Sequence, residues 1–131
     1  MNKQTRGFTV IELLVIVAIL GAASVLFFIQ KNNVEVAGRD NQRKTAINAM
    51  YYSLEEVFYK ANGYYPISID EAILPSVDPV LFTDPSGGKI GSSGSNFRYD
   101  SINCTDSRCK AYTLRSSLQN EADFVKESKN K

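Results

Sequence analysis

Residues 6–14 read RGFTVIELL, and they open a run of 22 residues, Phe8 to Ile29, in which Glu12 is the only charged side chain. As a helix rising about 1.5 Å per residue, such a run spans about 33 Å, enough to cross the hydrocarbon core of a bilayer. Lys3, Arg6 and the N-terminal amine precede it. The positive-inside rule therefore places residues 1–7 on the cytoplasmic side and everything after Ile29 outside. An acid near the end of a membrane helix costs about 2–3 kcal/mol on insertion scales, so it calls for a partner from another chain or is held neutral. The helix itself offers no cation.

Three readings of the run compete. Cleavage after Gly21-Ala22-Ala23 would make it a secretory signal peptide, but Val25 to Ile29 stay apolar where a mature chain turns polar. Left uncut, it would be a signal anchor. Neither accounts for Glu12. A cut between Gly7 and Phe8 does, because it creates an ammonium four residues before the acid. A neighbouring subunit, shifted along the helix axis, can then set its own ammonium against Glu12. At an effective dielectric near 20, unit charges about 4 Å apart attract by about 4 kcal/mol, which opposes the cost of burying either alone.

The stretch RGFTVIELLVIVAIL (residues 6–20) resembles the class III signal of type IV pilins and type II secretion pseudopilins. The likeness lies in the short basic leader, Gly7 before the cut, Phe8 after it, Glu12 five residues in, and the unbroken apolar helix. It implies cleavage by a prepilin peptidase, methylation of the Phe8 amine, and an apolar helix kept as the core of a helical homopolymer. Phe8 and Glu12 are then the subunit-assembly residues. The implied partners are other copies of the chain, the peptidase, an assembly platform and minor pilins. The implied location is the cytoplasmic membrane before assembly and an extracellular pilus after it, serving adhesion, motility or DNA uptake. A pseudopilin of a type II secretion system is the alternative. A monomeric membrane-anchored binding protein is the alternative from another class. Gly21 matches a glycine typical of these helices, whereas Ile29 stands where many pilins have proline.

Beyond the apolar run, residues 30–45 are polar apart from Val34, Val36 and Ala37, with Glu35 and Arg39 at helical i, i+4 spacing. Gly38 is the candidate bend. Ala46, Ile47, Met50, Leu54, Val57, Phe58 and Ala61 then recur at three- and four-residue steps, the stripe of an amphipathic helix. Asn62-Gly63 is its expected C-cap. The predicted organisation is a leader at 1–7, a membrane or filament-core helix at 8–29, an exposed amphipathic half at 30–62, and a head at 63–131. Within the head, Ser68 and Glu71 have capping-box spacing, which predicts a short helix from Ile69 to Leu74 stopped by Pro75. Residues 84–96 read as a Gly/Ser-rich connection without a core of its own. Strands are expected at Asn96–Ile102 and Lys110–Leu118, with a further short one at Ala122–Val125. The predicted fold is α+β: a long N-terminal helix whose second half carries a small antiparallel sheet.

Cys104 and Cys109 lie in the connection between the two longer strands. Their spacing is not that of a zinc or redox motif, and past a membrane-crossing segment they read as a disulfide rather than as two reduced thiols. So short a loop contributes about 2 kcal/mol in the chain-entropy model.

The formal net charge is +1, and setting aside Lys3 and Arg6 leaves 13 basic against 14 acidic residues. A near-neutral body is unlike an electrostatic nucleic-acid binder. Histidine is absent, which removes His-based acid–base catalysis and His metal sites. No enzyme, cofactor or metal is expected. Asp84, Asp100 and Asp106 read as solvated turn residues rather than as a calcium site, their spacing being unlike an EF-hand. Arg39, Arg43 and Lys44, interleaved with Asp40, read as inter-subunit ion-pair partners or a solvated face before DNA contacts. Tyr51, Tyr52, Tyr59, Tyr64 and Tyr65 are expected to pack against the sheet.

Overall fold

The computed structural model describes residues 7–131. Lys3 and Arg6 of the predicted leader lie outside the described residues. Two compact units divide the chain, the first ending at Glu35 and the second running Val36–Lys131.

Helix α1 spans Val10–Tyr52, continuing through Gly21 and Gly38 without interruption. A π-helical turn follows at Ser53–Phe58, and α2 (Tyr59–Asn62) completes the run. The expected C-cap is present. Gly63 adopts φ 75°, and its N–H donates to the Tyr59 carbonyl at 2.7 Å. That left-handed geometry suits a residue without Cβ.

In the first unit, every large apolar side chain from Phe8 to Ile29 is exposed, Phe8 at 77% and Ile16, the least, at 40%. The Ser24 hydroxyl is satisfied by the Leu20 carbonyl at 2.8 Å. Glu35 pairs with Lys31 at 3.9 Å, within this unit. Arg39, in the second unit, donates instead to Gln119 Oε1 at 3.2 Å.

The second unit has its own core. Ala46, Ile47, Met50 and Leu54 of α1 and the π turn pack with Tyr65, Phe82, Phe97, Tyr112 and Leu114. Val57, predicted on the same stripe, is 45% exposed. The reason is the wider turn, in which the Tyr59 N–H bonds the Leu54 carbonyl five residues back. The face that follows Leu54 is thereby rotated, bringing Glu55 inward and Val57 outward.

Four antiparallel strands form one sheet: β1 (Tyr65–Pro66), β2 (Phe97–Thr105), β3 (Arg108–Ser116) and β4 (Phe124–Glu127). β3 is central, pairing β2 along its length, β1 near Cys109 and β4 near Leu114. The register Phe97↔Ser116, Tyr99↔Leu114 and Ser101↔Tyr112 turns the predicted alternating residues toward the helix. Both long strands reach closer to the cysteines than expected, and the last strand begins two residues later. β1 was not predicted, because two residues carry no periodicity.

The predicted helix Ile69–Leu74 is a turn. Asp70, not Ser68, does the capping: its Oδ1 accepts from the N–H groups of Ala72 and Ile73 at 2.9 and 2.8 Å. Glu71 pairs with Lys89 at 2.8 Å instead of reaching back to residue 68. The 84–96 connection is more than a linker. A 3-10 turn at Pro79–Phe82 leads into it, and Ile90 within it is buried in the core.

Candidate functional site

The residues singled out at the start of the chain lie together at the head of α1. Thr9 stands just before the first helical residue. Its Oγ1 accepts from the Glu12 N–H at 3.3 Å, while the Thr9 N–H donates to Glu12 Oε2 at a long 3.5 Å. This reciprocal pair is a capping box, and it satisfies two of the orphan donors at the helix start. The spacing Thr9-Val10-Ile11-Glu12 is its signature, which a reading of Glu12 purely as a membrane charge passes over. A carboxylate in the first turn also suits the positive end of the helix dipole. Local chemistry thus gives Glu12 a partner within its own chain, yet the acid remains exposed. A methyl group added at Gly7 or Gly21 would meet nothing within 4 Å. Packing within the chain therefore does not require either glycine.

The cysteines are joined as expected. Cys104 and Cys109 form a disulfide across directly paired positions of β2 and β3. Asp106 and Ser107 make the two-residue turn between the strands with φ 49° and 66°, as a type I′ hairpin requires.

Two of the charged residues read as solvated are buried. Arg43 is 1% exposed, and its Nε and Nη2 donate to the two oxygens of Asp84 at 2.6 and 3.2 Å. Its Nη1 donates to Asp40 at 2.9 Å, and Asp40 also accepts from the N–H groups of Gln119 and Asn120. Ser86 and Asn96 complete the cluster. Burial raises the Asp84 carboxyl, but Arg43, Asn96 and Ser86 outweigh it and hold it down at about 2. Asp40 is lowered too: burial works against this, and the two backbone donors and Arg43 prevail. Lys44 pairs with Glu121 at 2.7 Å. The stretch expected to face other subunits or solvent is therefore committed within its own chain, tying α1 to the 84–96 loop and to the segment after β3.

Asp100 pairs with Arg115 at 3.2 Å, and Asp106 sits in the hairpin turn. The three aspartates are not brought together, and no metal-holding group of side chains occurs among the described residues.

A second buried group had no signal in the helical periodicity. Glu55, in the π turn, accepts from the hydroxyls of Tyr65 and Tyr112, both at 2.9 Å, and from the Lys129 N–H at 3.1 Å. Burial, with the neighbouring carboxylate, pushes both phenols up. Of the five tyrosines near the helix end, Tyr51, Tyr59 and Tyr65 pack as expected, whereas Tyr52 is 65% exposed.

Residues 2–28 match the family described as the prokaryotic N-terminal methylation motif, the class III signal of type IV pilins and pseudopilins. No match to the chain was found among curated proteins or among solved structures. The helix that carries the motif is long and apolar enough to cross a membrane, and with the signal it fits a membrane-anchored pilin.

Proposed function

We propose that this chain, which bears the pilin and pseudopilin signature at its N-terminus, is a structural subunit that polymerises through its N-terminal helix into a type IV pilus-like filament. One observation carries the reading: a largely apolar stretch from Phe8 to Ile29, helical from Val10 and with its large apolar side chains exposed, bears a single carboxylate, at Glu12, within the matched motif. In the membrane that surface faces lipid. In the filament it faces the same helix of neighbouring copies, and Glu12 meets the ammonium that cleavage creates on a neighbour's Phe8. The capping box supports this order of events, since it gives the carboxylate one hydrogen bond, from the Thr9 N–H, before assembly. Gly7 fits the same scheme: nothing in the chain lies within 4 Å of a methyl group placed there, which supports a role in peptidase recognition rather than in packing.

A pseudopilin of a secretion machine is the second reading. It is favoured by one feature, the continuation of α1 through Ile29 where many pilins have proline. Both readings share the same processing.

Mass spectrometry of the isolated protein is the test. The mature chain begins at Phe8, with or without one added methyl group. A mature start at Ser24 overturns the filament reading. Gly7→Ala blocks processing while leaving helix content unchanged; normal processing of that variant removes the assigned role of Gly7.

A further inference from the structure

A groove of about 640 Å³ lies in the second unit, between the end of the helix and the tip of the cystine hairpin. Its volume falls in the range of small-molecule sites, about 300–1,000 Å³. Tyr59, Gly63 and Tyr64 supply one wall, and the hairpin from Asn103 to Lys110 supplies the other. Filament formation through Phe8–Ile29 makes no use of it.

The groove is unevenly charged. Arg108, Lys110 and Lys131 face one carboxylate side chain, Asp106. Lys131 is already paired with Glu127 at 3.3 Å. Arg108 and Lys110 have no carboxylate partner among the described residues, and as alternate residues of β3 they belong to one side of the strand. The exposed Arg108 side chain lies over the Tyr64 ring, its guanidinium carbon 5.0 Å from the ring centre. A guanidinium held over an aromatic ring retains donors for a planar oxyanion, which it can bind through two parallel hydrogen bonds. Asn103 and Asn130 belong to the same lining, and the Asn130 carboxamide donates to the Tyr65 hydroxyl at 3.2 Å.

Basic side chains beside two asparagines suit an anion that also carries hydroxyls. A nucleic acid fits less well, because sequence-tolerant binding of single strands relies on open aromatic faces. Here Tyr64 is engaged by Arg108 and edge-on by Phe58, and Tyr59 is stacked on Tyr65 at 4.7 Å. We propose that the groove binds an acidic sugar, its carboxylate held by Arg108 and Lys110 and its hydroxyls by the carboxamides of Asn103 and Asn130.

The test uses the full chain in detergent micelles, so it is independent of filament formation. Calorimetric titration compares trigalacturonate, its fully methyl-esterified form, inorganic phosphate and a dodecathymidylate. Trigalacturonate is expected to bind, the neutral ester at least ten-fold more weakly, and Arg108→Gln and Lys110→Gln each about five-fold more weakly. Lys126→Gln, away from the groove, leaves binding unchanged. Thermal melts of the variants that match the parent protein keep their losses assignable to the groove. Equal binding of acid and ester, no binding of trigalacturonate, or indifference to both groove variants overturns the proposal. Binding of phosphate or the oligonucleotide as tight as that of trigalacturonate, and lost in the same variants, overturns the sugar assignment.

Discussion

Glu12 is asked to do two things, and single substitutions separate them. As the acid of a capping box it bonds the Thr9 N–H, a role that a glutamine also fills. As a charge it opposes a neighbour's ammonium in the proposed filament, a role that glutamine does not fill. Glu12→Gln therefore keeps the helix start while losing assembly, because a buried ammonium without its counter-charge costs about 3–5 kcal/mol. Glu12→Ala loses both, yet inserts in the membrane at least as well as the parent chain, having shed the one charge of the span. Thr9→Val weakens only the cap, by about 1 kcal/mol, and leaves assembly measurable. Comparing membrane-bound with sheared filament fractions for the three variants decides between the roles. If Glu12→Gln assembles like the parent chain, capping alone explains the residue and the inter-subunit pair is wrong.

At the level of elements, the cystine hairpin carries a visible conformational cost. Asp106 and Ser107 both sit at positive φ, a region costing an L-residue other than Asn or Asp about 1–2 kcal/mol. Ser107→Gly is expected to raise stability by about 1 kcal/mol in denaturant titration, with the disulfide unchanged; a neutral or negative result would show the turn to be relaxed. Further along, the register sets Arg98 directly opposite Arg115, whose Nε is buried without a partner. Like charges so placed are destabilising, and Arg98→Glu is expected to gain about 0.2–1 kcal/mol, a gain that shrinks in high salt. No gain at low salt means that the two guanidinium groups do not interact. The two long strands, β2 and β3, were legible because Phe97, Tyr99, Tyr112 and Leu114 alternate in sequence as they do in space. The π turn was not legible: the bonds that Glu55 accepts within it come from Tyr65 and Tyr112, distant in sequence, and no local propensity marks it. The same gap explains why the stripe placed Val57 inside.

Across the whole molecule, the sequence shows two kinds of surface but not where the charges of the second unit go. The exposed apolar run is plain from composition. The burial of Asp40, Arg43 and Asp84 is not, because Arg43 is separated from Asp84 by 41 residues and nothing local distinguishes a buried arginine from a solvated one. That cluster makes the stability of the second unit acid-sensitive, and the sign follows from its two carboxylates. Both have folded pKa values below their ordinary 3.8, Asp84 at about 2. Their ionised forms therefore favour the folded state, with that contribution fully present above about pH 5. It is lost as the pH falls through about 4 toward 2, where the folded state must take up protons that the unfolded chain already holds. Thermal melts of the full chain in micelles between pH 7 and pH 2 are expected to be flat down to about pH 5 and to fall steeply below it. Other carboxylates titrate in the same window, Glu56 among them, held down at about 2 by Lys129 and Lys60, so the informative quantity is a difference. Asp84→Asn, which leaves the shape of the cluster but not its charge, is expected to be less stable than the parent chain at pH 7, with the gap closing near pH 2. A gap of constant size across that range would show that the charge of Asp84 contributes nothing and that only its hydrogen bonds to Arg43, Ser86 and Asn96 hold the loop.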